Sequence, residues 1–237
     1  MSKIFYFLLD IFFPCRCVSC GDTVSSSMNH LCFRCHGLMD QLKNGCPVCS
    51  GSIRDGECSI CGDRMFYPSA NISLFSYENV SKAVIHSLKF EGMKYLYRIF
   101  IPYICKRINE FDGKIDIITS VPMNRKKLVK RGYNQSKLLA QGVSRKTGIK
   151  FLELLKENRN AAQQRELNYS ERFINVIDRY ETVNNTKFRD KTVLLIDDVF
   201  TTGATINECS RKLIFSGAAE VFSITVVRSD LKKLEIV

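Results

Sequence analysis

The stretch VLLIDDVFTTGATI, residues 193–206, decides the fold. Four branched apolar residues, Val193 to Ile196, run without alternation, as expected of a strand covered on both faces of a parallel sheet. Asp197 and Asp198 follow, then hydroxyls and small residues, and Gly203 breaks the strand pattern. Ile206, Leu213 and Ile214 recur at roughly helical spacing. The pattern predicts strand, loop and helix, with the charged and hydroxylated part at the strand's C-terminal edge. Open α/β sheets bind their ligands there.

The same alternation extends outward. Residues 78–90 (ENVSKAVIHSLKF) carry Val80, Ala83, Val84 and Leu88 on one helical face, and His86 there reads as a packed or solvated residue. Residues 115–121 (IDIITSV) read as a strand running into Pro122, and 134–148 as a helix closed by Lys146 and Gly148. A short apolar piece at 151–155 and a strand at 221–227 complete the series. Strands alternating with helices imply a parallel α/β sheet.

Upstream the chain is different. Eight of its eleven cysteines form CxxC pairs: Cys17/Cys20, Cys32/Cys35, Cys46/Cys49 and Cys58/Cys61. A CxxC turn lets two thiolates converge on one ion, and four of them complete a zinc tetrahedron. Gly21, Gly51 and Gly62 follow pairs closely, and Pro47 lies within one, as tight turns favour. The residues between are too few to build a core, so two structural Zn²⁺ ions would supply the folding energy. Spacing permits two sequential sites, 17/20/32/35 and 46/49/58/61, or a cross-braced pair, 17/20/46/49 with 32/35/58/61. Cys15, Cys105 and Cys209 are spare, and His30 and His36 read as surface residues. A change of composition after residue 64 divides the chain into 1–64 and 65–237.

Of the 237 residues 45% are apolar and 25% charged, an ordinary globular balance; the formal charge of +11 is not ordinary. Residues 1–64 are neutral, whereas 125–165 hold twelve Lys or Arg against Glu153 and Glu157. Such a segment is either a solvated face or a surface for phosphates. The neutral cysteine module, made more negative by its thiolates, is poorly suited to gripping DNA non-specifically. The apolar opening MSKIFYFLLDIFFP lacks a small-residue cleavage site and is too short to span a bilayer. It reads as a short helix packed on the protein, and no other segment is a transmembrane candidate.

The 197–205 chemistry is more specific. A strand-to-helix turn of small residues lets N–H groups and the helix N-terminus face an anion. Thr201, Thr202 and Thr205 add hydroxyls, and Gly203 and Ala204 permit close approach. No Gly-Lys-Ser/Thr follows, so this is not a Walker A loop, and the spaced glycines of a dinucleotide fingerprint are missing. Paired carboxylates repel phosphate, so they should meet hydroxyls instead. Hydroxyls on one side and a phosphate on the other describe a ribose 5-phosphate.

VLLIDDVFTTGAT resembles the binding motif for phosphoribosyl pyrophosphate (PRPP) of type I phosphoribosyltransferases. Almost the whole chain resembles the ComF (competence protein F-like) family, through the cysteine pairs, VIHSLKFEG (84–92), SVPMNRKKLVKRGYNQSKLLA (120–140) and QQRELNYSERFINV (163–176). Cys15 departs from the pattern.

The resemblance implies a type I phosphoribosyltransferase fold, a parallel sheet flanked by helices, behind an N-terminal helix and double zinc ribbon. It implies that Asp197 and Asp198 hold the ribose hydroxyls and that Thr201, Thr202, Gly203, Ala204 and Thr205 hold the 5′-phosphate. Ser120, Val121 and Pro122 would form the pyrophosphate loop. Arg125, Lys126, Lys127, Lys130 and Arg131 would lie on a flexible loop, 123–135, that closes over pyrophosphate, with Mg²⁺ bound mainly to PRPP's own oxygens.

The implied activity is phosphoribosyl transfer to an acceptor that the sequence does not name, or PRPP sensing. The implied setting is uptake of transforming DNA on the cytoplasmic side, with the inner face of the membrane as a further location. The alternative is a non-catalytic PRPP-responsive module that grips single-stranded DNA through 125–165 and contacts a competence helicase or channel protein. Tyr133 and Phe151 are the aromatic residues in that segment, so such a grip would be dominated by phosphates.

Overall fold

A computed structural model describes residues 15–25, 30–39, 41–42, 45–51, 53–54, 57–58, 65–158, 178–183 and 185–229. The expected N-terminal helix, Cys61, the end of the basic segment at 159–165 and the 163–176 motif lie outside the described residues.

The cysteine-rich part contains two short antiparallel pairs, β1 (Cys15–Arg16) with β2 (Thr23–Val24) and β3 (Ile53–Arg54) with β4 (Glu57–Cys58), and a one-turn helix α1 (Phe33–Gly37) between them. Then follow β5 (Ala70–Ser76), α2 (Asn79–Phe90), a 3-10 turn (Lys94–Ile99), α3 (Ile101–Ile108) and β6 (Ile117–Ser120). Next come α4 (Arg125–Arg131), α5 (Gln135–Thr147) and β7 (Lys150–Phe151). A small antiparallel pair, β8 (Leu155–Glu157) and β9 (Tyr180–Thr182), precedes β10 (Thr192–Phe200), α6 (Ala204–Phe215) and β11 (Glu220–Arg228).

Five strands form one parallel sheet in the order β5-β11-β10-β6-β7. In β10, Leu194 and Ile196 face one core layer with Val84, Leu88 and Leu139, while Val193 and Leu195 face the other with Ile206 and Leu213. Both faces are covered, which is why the strand shows no polar alternation. Chain leaving β6 travels through α5 to β7, whereas chain leaving β10 travels through α6 to β11 on the other side. The order therefore reverses between β6 and β10, and the ends of these strands open a crevice.

The cysteine module lies along the edge of this sheet. The Leu42 N–H donates to the Leu74 carbonyl at 2.9 Å, and the Asn71 N–H to the Pro47 carbonyl at 2.6 Å. Ser50 Oγ accepts the Ser73 N–H at 2.8 Å, and Arg228 Nε donates to the Cys49 carbonyl at 2.8 Å. Unpaired groups of edge strand β5 are thereby satisfied, which blunts a surface otherwise open to pairing with another chain. No helix among the described residues is long and apolar enough to cross a membrane.

Candidate functional site

β10 outruns its neighbour β6. The last register pair is Ser120 with Ile196, and the Val121 N–H then donates to the Ile196 carbonyl at 3.1 Å. The strand runs on through both aspartates to Phe200, because β11 keeps pairing, Asp197 opposite Thr225 and Phe200 opposite Arg228. Asp197 and Asp198 therefore stand on rigid strand, each 8% exposed, on the side where β6 has ended.

Ser136 Oγ donates to Asp197 Oδ1 at 2.6 Å, and the Asp198 N–H donates to the same oxygen at 2.9 Å. Lys89 Nζ lies 2.7 Å from Asp198 Oδ2. Burial, and then the adjacent Asp198 charge, push the Asp197 carboxyl well above the usual carboxylate range, against those hydrogen bonds and Lys89.

These carboxylates line a cavity of about 330 Å³, which Val121, Pro122, Lys127 and Arg131 also line. The basic segment is not an irregular loop. Asn124 Oδ1 accepts the N–H groups of Lys126 and Lys127 at 2.9 and 3.4 Å, which starts α4 as a capped helix, and Gly132 at φ 81° ends it. On that helix Lys127 and Arg131 reach the cavity, and the Arg131 guanidinium sits 5.2 Å from the Phe90 ring centroid. Arg125, Lys126 and Lys130 are exposed and do not line it, and Ser120 lines a neighbouring groove.

Nor does the whole basic run face one ligand. Arg145 and Lys146 sit at the far end of α5, roughly 15 Å from its start by helical rise. There they line a separate groove with Tyr97 and Arg98.

In the 201–205 turn, Thr205 lines the cavity. Thr202 Oγ1 accepts the Ala204 N–H at 3.2 Å and so stabilises the turn itself. Gly203 has φ 82°, and a Cβ there would lie 2.5 Å from Phe200 Cζ and 2.9 Å from Phe66 Cε1. Its missing side chain thus answers to two aromatic rings and to left-handed backbone. Asn207, one turn into α6, holds the 65–67 segment over this turn through the Tyr67 N–H at 2.8 Å and the Met65 carbonyl at 3.1 Å.

Several cavity residues carried no assigned role in the sequence, among them Lys89, Asn134, Gln135, Ser136 and Arg179. The first four lay inside stretches already singled out, LKF and YNQS, where an amide or hydroxyl gives no signal of its direction. Arg179 Nε donates to Glu157 Oε1 at 2.9 Å, a pairing between β8 and the start of β9 that no local spacing reveals.

The four sulfurs of Cys17, Cys20, Cys32 and Cys35 lie within 4.8 Å of one another, as do those of Cys46, Cys49 and Cys58. Sequential grouping is therefore the one formed, and the cross-braced option is not. Measured edges are 3.7 Å for Cys20–Cys32 and 3.4 Å for Cys49–Cys58. A zinc tetrathiolate with Zn–S near 2.3 Å has edges of roughly 3.8 Å, so the donors fit. Backbone N–H groups of Cys32, Cys35 and Gly51 point at Cys17, Cys32 and Cys49 sulfurs at 3.3–3.4 Å, as suits thiolate acceptors. Tyr103 Oη lies 3.1 Å from His36 Nε2, and the His30 ring sits tilted against Tyr95 with centroids 4.6 Å apart; neither histidine joins a cluster.

A parallel sheet whose switch point carries these residues, edged by a cysteine module, defines a type I phosphoribosyltransferase fold with a small zinc-ribbon-like unit. No protein-family model matches the chain. It is 24% identical over 228 residues to competence protein ComFC of Streptococcus pneumoniae, covering 90% of this chain and all of that one. It is 29% identical over 216 residues to competence protein F of Haemophilus influenzae, covering 81% and 94%. Along most of its length the chain is thus similar to ComF-type competence proteins. Among solved structures, an adenine phosphoribosyltransferase superposes with a TM-score of 0.43 at 16% identity, covering 71% of this chain and 86% of that one.

Proposed function

We propose that the cavity binds PRPP with Mg²⁺ and that the protein transfers or senses phosphoribose while assisting uptake of transforming DNA. The observation that carries this reading is a buried carboxylate pair sharing one cavity with two helix N-termini, α6 at Thr205 and α5 at Gln135. A ligand matching that layout has hydroxyls in its middle and an anionic group at each end. Ribose with a 5′-phosphate and a 1-pyrophosphate has that form. Lys127 and Arg131 stand where charge would develop on departing pyrophosphate as its bond to the sugar C1 breaks and an acceptor's lone pair forms the new one. Mg²⁺, held mainly by PRPP itself, would supply further charge neutralisation beside Lys127 and Arg131. The competence names of the relatives favour the DNA-uptake setting, and the cysteine clusters suit two structural Zn²⁺ ions.

A second reading has a specific observation behind it. The groove of Tyr97, Arg98, Arg145 and Lys146 is basic, carries an aromatic ring and lies away from the cavity, which favours a single-stranded-DNA grip without catalysis. Calorimetric titration with Mg²⁺-PRPP, with and without a short single-stranded DNA, separates the two. Micromolar PRPP binding unaffected by DNA supports both ligands on separate surfaces. Competition puts DNA across the cavity. Absence of PRPP binding overturns the first reading.

A further inference from the structure

We infer that Gln135 is a ligand-binding residue whose side-chain amide donates to an anionic oxygen of the diphosphate end of the sugar ligand; this rests on the PRPP reading above. Gln135 is the first residue of α5, is 1% exposed and lines the cavity. Its Nε2 has no hydrogen-bond partner among the described residues. A buried amide donor left unmade is costly, and nearly all such groups in folded proteins find a partner.

Its neighbours show that the orphaned amide is not a general feature of this turn. Asn134 Oδ1 accepts the N–H groups of Ser136 and Lys137 at 3.0 and 3.4 Å, and Asn134 Nδ2 donates to the Val121 carbonyl at 2.9 Å. Ser136 is engaged by Asp197 at 2.6 Å. Of the three, Gln135 alone has a side-chain nitrogen with no partner among the described residues, and it lines the cavity.

The charge around it selects the acceptor. α5 is 13 residues long and has no acidic residue in its first turn, so its N-terminus presents positive potential. Lys127 and Arg131 line the same cavity from α4. A donor in this field matches a phosphate oxygen rather than a cation. The monophosphate is expected at Thr205 on α6, which leaves the diphosphate for α5.

The test uses full-length protein and three probes, each with Mg²⁺: inorganic pyrophosphate, PRPP and ribose 5-phosphate. Calorimetry is run on the wild type, Gln135→Met and Gln135→Glu, alongside thermal melting without ligand. Gln135→Met is expected to weaken pyrophosphate and PRPP about tenfold or more, the scale of one hydrogen bond to a charged group, and to leave ribose 5-phosphate unchanged. Its ligand-free melting temperature should equal or exceed that of the wild type, because an unsatisfied amide has been removed. Gln135→Glu keeps the shape and should weaken both probes further by repulsion.

Unchanged pyrophosphate and PRPP binding in both variants overturns the assignment while leaving the PRPP reading intact. Wild-type binding of pyrophosphate but not PRPP, lost in the variants, does the reverse. A Gln135→Met protein that melts well below the wild type makes the residue structural and overturns the assignment. Failure of the wild type to bind either probe overturns both.

Discussion

Lys89 Nζ, near the C-terminal end of α2, lies 2.7 Å from Asp198 Oδ2 on β10, with the two side chains only 19% and 12% exposed. The pair ties a helix to the end of the central strand and gives Asp198 a counter-charge in a site that also holds Asp197. Removing one partner of a buried pair leaves an uncompensated charge, whereas removing both does not. Lys89→Met should destabilise the protein by about 3 kcal/mol. Adding Asp198→Asn should recover most of that loss. Urea unfolding of the four proteins in the cycle checks this, and additive single effects would refute the coupling.

Asp197 makes stability depend on pH in the direction opposite to a salt-bridged carboxylate. Burial and the charge of Asp198 raise its folded-state value above the ordinary one of about 4. Between those two values the folded chain holds a proton that the unfolded chain has released, so stability falls as pH rises through that window. Asp197→Asn should flatten this dependence and raise stability at neutral pH while abolishing PRPP binding. Denaturant midpoints at pH 5 and pH 8 for wild type and variant test it; equal slopes would contradict it.

Gly203→Ala places a Cβ 2.5 Å from Phe200 Cζ and 2.9 Å from Phe66 Cε1 at a φ of 82°. Left-handed backbone alone costs a non-glycine residue roughly 1–2 kcal/mol, and the ring contacts add to it. A fall of several degrees in melting temperature is expected. An unchanged melting temperature would mean that the turn repacks freely.

Cys49→Ser should lower bound zinc from two ions per chain to one, read by elemental analysis of reduced protein. Because the Cys49 carbonyl accepts from Arg228 and Leu42, Pro47 and Ser50 hydrogen-bond β5, the loss should also uncover a sheet edge. Increased light scattering at unchanged α6 helicity is the expected sign. Cys20→Ser in the first cluster should lose an ion without that effect.

Much of the site was readable because its signals are local. Val193–Ile196, the two aspartates and the hydroxylated turn are contiguous, and a strand-to-helix turn dictates which way such residues face. The basic segment misled for the same reason: the charges are adjacent in sequence, but α4 and the far end of α5 point them at different surfaces. Which strand pairs with β10 as far as Phe200 was hidden, because β11 lies some thirty residues away. Lys89, Ser136 and Arg179 were invisible as site residues, since their role comes from partners on other elements.

By itself the sequence determined the parallel α/β alternation, the carboxylate pair, the hydroxylated turn and the CxxC pairs, because period, turn chemistry and ligand spacing act over a few residues. The tertiary structure alone decided which cysteines share a cluster, which cations reach the carboxylates, and that the cysteine module covers β5. Those outcomes depend on how separated elements dock, and docking is set by burial and by completing hydrogen bonds across the whole chain.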